Sequence, residues 1–126
     1  MTTTTSTATA LRAAVKFDGF ATLPSGVVLA ALAGLLAEPL GIPSGVLLGA
    51  GLFFVAWGAC VLYLGTRRVI DRRAATAVGL VNAVCAVDGV AVALIADLTT
   101  LGTVALLVLS VAVAAIGALQ LHAARR

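Results

Sequence analysis

Ser44-Gly-Val-Leu-Leu-Gly-Ala-Gly-Leu-Phe-Phe-Val-Ala-Trp-Gly-Ala-Cys-Val-Leu-Tyr-Leu-Gly-Thr66 runs without one charged side chain and stops against Arg67-Arg68. At about 1.5 Å per residue a helix of this length spans roughly 35 Å, against a hydrocarbon core of about 30 Å. The stretch reads as one membrane crossing. The whole chain agrees: of its 126 residues 62% are hydrophobic and 10% charged, with a mean hydropathy of +1.18. Soluble domains carry about 25% charged residues. So few charges cannot cover a water-exposed surface, and disorder needs far lower hydrophobicity. Both classes are excluded for most of the chain.

Three further apolar blocks flank this one. They cover residues 20–37, 74–96 and 101–124, bounded by Glu38-Pro39, by Arg72-Arg73 with Asp97, and by Arg125-Arg126. Each is continuous and long enough for one helix, whereas a barrel needs alternating segments of about 10 residues. The connections 38–43, 67–73 and 97–100 are short, which makes sequential helices antiparallel neighbours. The expected fold is all-α: an integral membrane four-helix up-down bundle, a single domain over residues 11–126. The Thr-rich residues 1–10 read as a disordered tail. Pro24 either kinks a helix that starts near Thr9 or opens the first span, with 11–20 then a short interfacial helix. The near copies Leu23-Pro-Ser-Gly-Val-Val-Leu29 and Ile42-Pro-Ser-Gly-Val-Leu-Leu48 favour Pro-Ser-Gly as a helix start in both places. The first block reads as a retained anchor. A cleavage site before Glu38 would carry Leu35 where a small residue is wanted.

The charges are sorted by side. Of the eight basic residues, Arg12 and Lys16 precede the first span, Arg67, Arg68, Arg72 and Arg73 fill the middle connection, and Arg125 and Arg126 end the chain. The first and third connections carry none. The positive-inside rule then places both termini in the cytoplasm of a plasma-membrane protein, with Glu38 and Asp97 outside. Such a bias disfavours the dual topology of small multidrug exporters and fluoride channels. The first span also lacks the former's glutamate and the third the latter's Gly/Thr/Phe-rich break. The arginines read as topology determinants that also attract anionic lipid, with a docking site for a cytoplasmic partner as the alternative.

Few residues within the spans could carry chemistry. Asp88 lies in the third block, about 4–5 Å to the outer side of its centre. An intramembrane acid is costly and marks a candidate proton or cation site. Its structural alternative is a neutral acid hydrogen-bonded to the next helix, with Ser110 at matching depth. Asn82 lies about 120° around the same helix from Asp88, on a face with Gly79, Ala86, Gly89 and Ala93. It is expected to bond across a tight helix contact, with Ser25 and Trp57 at similar depth. Trp57 sits in mid-span rather than in an aromatic belt, as packing or as the wall of an apolar-ligand site. Small-residue spacings at Gly45/Gly49 and Ser110/Ala114/Ala118 suit close helix contacts.

Other chemistries lack their residues. Cys60 and Cys85 differ in depth by about 7–8 Å, too far for a disulfide. The lone His122 cannot furnish a haem pair or a zinc site. No catalytic residue, metal site, cofactor or nucleic-acid partner is expected, and the chain reads as a non-enzyme.

Asp18, the Leu40-Gly-Ile-Pro43 turn, Arg67/Arg68, Asn82, Leu101-Gly-Thr103 and the 120–126 ending give residues 11–126 the look of a family. They resemble small, uncharacterised four-span integral membrane proteins of actinobacteria. The resemblance implies a plasma-membrane protein and brings no functional residues. The leading expectation is a structural or accessory membrane protein acting through helix–helix contacts, as a homo-oligomer or with a partner membrane protein. The alternatives are a small transporter or channel for protons or cations using Asp88, with Asn82 and Ser110, and an apolar-ligand binder near Trp57.

Overall fold

The computed structural model describes the backbone of residues 2–125 and the side chains of residues 9–125. Five helices make up its regular structure: α1 Thr2–Ala31, α2 Ala33–Leu40, α3 Ser44–Thr66, α4 Arg72–Ile95 and α5 Thr100–Arg125. Four of them contain a stretch long and apolar enough to cross a membrane: Thr9–Ala31, Ser44–Thr66, Arg72–Ile95 and Thr100–Arg125. Large side chains such as Val87, Leu94, Ile95 and Val108 stand exposed around the outside of these stretches, as expected of a surface solvated by lipid.

The first span differs from the sequence expectation. Helix begins at Thr2, where a disordered tail was expected, because adding a residue to an existing helix costs far less than nucleating one. The membrane-crossing stretch starts at Thr9 rather than at residue 20. Arg12 and Asp18 read as charges that bound a span, but both are satisfied inside the fold. α1 continues through Pro24, so the first Pro-Ser-Gly does not start a helix. The second does: Pro43, with ψ 139°, is the residue before α3. Tertiary contact explains the difference, because Gly26 packs against the backbone of α3. Half of the expected 38–43 connection is also helical, since α2 runs through Glu38 and Pro39 to Leu40. It ends at Gly41, whose φ of +69° closes the turn as glycine does at little cost.

Two antiparallel helix pairs build the body. α1 lies on α3 with almost no space between backbones. A Cβ added to Gly51 would stand 2.6 Å from the Ala30 nitrogen, and one added to Gly58 2.7 Å from the Leu23 nitrogen. The seven-residue repeat Gly51, Gly58, Gly65 keeps this face along one line of α3. α4 lies on α5 in the same manner, with Gly79 and Gly117 opposed. The two pairs meet through α1 and α5, whereas α3 and α4 barely touch.

The ends are tied differently. At the basic end Leu11, Val15, Val61, Ile70, Val78 and Ala123 form a closed apolar cluster. Arg12 donates from Nη1 to the carbonyls of Gly65 and Arg67, both at 2.6 Å, and from Nη2 to that of Arg68 at 3.2 Å. It thereby satisfies acceptors that the end of α3 leaves unpaired. Arg72 does the same for Ala124 at the end of α5, at 3.1 Å. Asp71 caps α4 by accepting from the backbone N–H of Arg73 at 3.0 Å. At the other end Thr99 donates to the Pro39 carbonyl at 2.6 Å and accepts from the Gly102 N–H at 3.0 Å.

Candidate functional site

Just above the closed apolar cluster, three helices contribute one polar residue each. Asp18 of α1, Asn82 of α4 and Gln120 of α5 are all buried. Asn82 Nδ2 donates to Asp18 Oδ2 and to Gln120 Oε1, both at 2.8 Å. Gln120 Nε2 donates to the same Asp18 Oδ2 at 2.8 Å. Thr22, one turn along α1, donates its hydroxyl to Asp18 Oδ1 at 2.9 Å. The three neighbours present only donors to Asp18. Among the described residues no basic side chain pairs with it: Arg12 is engaged by carbonyls, and Lys16, nearer in sequence, lies along α3 at Gly65.

The helix packing places these groups. Gly79 and Gly117 bring α4 and α5 together beside Asn82, whose Cβ lies against Gly117. The α1–α3 glycine contact leaves the neighbouring face of α1, with Asp18 and Thr22, turned toward α4 and α5. A network spanning three helices leaves no fully buried side-chain nitrogen or oxygen without a partner among the described residues.

A cavity of about 230 Å³ opens above this floor, between the two helix pairs. Asp18, Thr22 and Asn82 line its lower part. Trp57, Phe53 and Phe54 of α3 form one wall, and Leu109, Val113 and Ile116 of α5 another. The rings of Trp57 and Phe53 are stacked, 6.2 Å apart and 8° from parallel. Further toward the end away from the basic residues a groove of about 450 Å³ lies between α3 and α4. Phe54, Gly89, Leu106 and Leu109 border both spaces, so groove and cavity abut.

The sequence-derived candidates separate. Asn82, Ser110 and Trp57 all line the inner cavity. Asp88 does not; it is exposed and lines the outer groove. The expected Asp88–Ser110 bond is absent, because the Ser110 hydroxyl donates to the Leu106 carbonyl of its own helix at 2.8 Å and packs on Gly89. Ser25 lines the cavity but donates to the Ala21 carbonyl at 2.6 Å, not to Asn82.

Sequence reasoning missed Asp18 and Gln120 because both were placed at the ends of spans. A usable signal was present. Leu11, Val15, Asp18 and Thr22 follow helical three- and four-residue spacing, so an extended first helix already puts Asp18 on an apolar, inward face.

Among the described residues no group of three or more His, Cys, Asp or Glu side chains gathers as metal ligands would. The floor can accept hydrogen bonds and hold charge, and the walls can bury apolar surface. The arrangement is suited to binding. The chain matches no known protein family, no curated protein and no solved structure.

Proposed function

We propose that this is a multi-pass plasma-membrane protein, an up-down four-helix bundle with both termini cytoplasmic. It binds a small, largely apolar molecule in the cavity beside Trp57. The observation that carries the reading is the cavity itself, walled by Trp57, Phe53 and Phe54 and floored by a buried carboxyl network. Packed cores rarely leave such a space, and ligand sites combine apolar walls with a few placed polar groups. The sorting of all eight basic residues supports the orientation. The basic end is sealed by the Leu11–Val61–Val78 cluster, and the cavity opens sideways past the exposed Ser25, Phe53, Cys85 and Ala112. Binding, with passage of the ligand as its extension, is the activity, and no covalent chemistry is assigned.

Trp57 is the one tryptophan of the chain, so its emission reports on the cavity. Titration of nanodisc-embedded protein with small aromatic compounds is expected to shift that emission saturably, and Ser25→Phe, at an exposed position lining the cavity, is expected to abolish the shift by filling the space. A linear, unsaturable response would refute the reading. Orientation is checked by single cysteines near each terminus in a chain lacking Cys60 and Cys85. Labelling from outside at either terminus would overturn it.

A second reading has its own support. Gly45 and Gly49 face open space on α3, with nothing within 4 Å of an added Cβ. Small residues left unpartnered in a span suit a contact with another helix, as an accessory protein or homo-oligomer would make. Crosslinking between copies through Gly49→Cys tests it.

A further inference from the structure

The floor of the cavity carries more information than its volume. Asp18 is only 3% exposed, and its three hydrogen-bond partners are all neutral donors. Burying a carboxylate without a counter-charge is expensive even when it is well hydrogen-bonded. The fold removes Arg12, the basic residue one and a half turns away, by spending its guanidinium on the carbonyls of Gly65, Arg67 and Arg68. The floor of the cavity therefore holds a buried acid that no basic side chain among the described residues pairs with. Above it the rings of Trp57, Phe53 and Phe54 line the cavity, and aromatic rings attract cations through their quadrupoles.

From this we infer that the cavity ligand is a small organic monocation, an aryl- or alkyl-ammonium, with its charged head at Asp18 and its apolar body along Trp57. The inference rests on the binding function proposed above and names its ligand class. A bare inorganic cation fits poorly. Replacing its hydration shell takes several oxygen ligands, and apart from the carboxyl network the walls offer only the hydroxyls of Thr22, Ser25 and Ser110, each already donating within α1 or α5. The apolar walls fit the carbon body of an organic ion and keep water from screening the Asp18 charge.

The test compares benzyltrimethylammonium with neopentylbenzene, its neutral isostere of equal shape. Both are titrated against the full chain in nanodiscs, following Trp57 emission and correcting with empty nanodiscs. The cation is expected to bind at least tenfold more tightly, and Na⁺ or K⁺ at the same concentration is expected not to displace it. In Asp18→Asn, which keeps the shape of the side chain, the preference is expected to collapse to about one while the neutral isostere binds as before. Equal affinities in the unaltered protein overturn the cation assignment and leave the cavity reading standing. Absence of saturable binding by either compound overturns both. Should Asp18→Asn fail to assemble, the ratio in the unaltered protein still decides, together with Asp88→Asn. Loss of the preference there would move the charge site to the outer groove and overturn the assignment to Asp18.

Discussion

Replacing Gly58 by alanine adds one methyl group where α1 and α3 meet, and its consequence can be worked from the contacts. The new Cβ would lie 2.7 Å from the Leu23 nitrogen, 2.9 Å from its Cα and 3.0 Å from its Cβ. Two of these atoms are backbone, so no side-chain rotation relieves the clash. Non-bonded carbons settle at about 3.5–4.0 Å, so α1 must retreat by roughly 0.5–1 Å. Overpacking of this kind costs about 1–3 kcal/mol. The retreat has a second effect, because Leu23 lies little more than a turn beyond Asp18. Moving α1 off α3 shifts Asp18 against Asn82 and Gln120, whose contacts stand at 2.8 Å. Gly49 supplies the control. It lies on the same helix and nothing stands within 4 Å of its added Cβ. Gly49→Ala is expected to change stability by less than about 0.5 kcal/mol. The assay is equilibrium unfolding in mixed micelles against SDS, followed by Trp57 emission. Helix persists in SDS, so the intrinsic alanine-over-glycine preference largely cancels. If Gly58→Ala and Gly49→Ala unfold at the same SDS fraction, the proposed close α1–α3 contact is wrong.

Three further outcomes are expected in the same unfolding assay. Asn82→Ala removes donors to both Asp18 and Gln120 and is expected to cost about 1.5–3 kcal/mol, the range for hydrogen bonds to charged groups; Ser110→Ala, which loses only a bond within its own helix, should cost clearly less. Equal losses would contradict the network. Arg12→Lys keeps the positive charge but cannot present the guanidinium fork to three carbonyls, so a destabilisation of about 1 kcal/mol is expected with unchanged terminus labelling. A loss no larger than that of Arg73→Lys would show that Arg12 acts by charge alone. Asp71→Ala removes the cap of α4 at a cost of about 1 kcal/mol, whereas Asp71→Asn should retain it; a large loss in the asparagine variant would point to charge rather than capping.

Much of the fold is legible without coordinates. The uncharged run from Ser44 to Thr66 and the block ended by Arg125 match α3 and α5 within a residue or two, because a bilayer sets length and polarity together. Asn82 was also legible as a residue that bonds across helices. The first span was not, because hydropathy treats Arg12 and Asp18 as charges facing water. It has no way to register that Arg12 meets the carbonyls ending α3 or that Asp18 meets two amides.

The sequence by itself determined an all-helical chain with four stretches able to cross a membrane, and the placement of its basic residues at one set of helix ends. These follow from local hydrophobicity and from where charge is tolerated, and both are properties of short segments. Only the tertiary structure decided which acid is the interior one. Asp88 and Asp18 differ little as isolated residues, yet the glycine contacts between α1 and α3 and between α4 and α5 rotate Asp18 inward and leave Asp88 on an open groove. That choice depends on pairs of residues as far apart as Asp18 and Gln120, which meet at 2.8 Å only because the helices pack at their glycines.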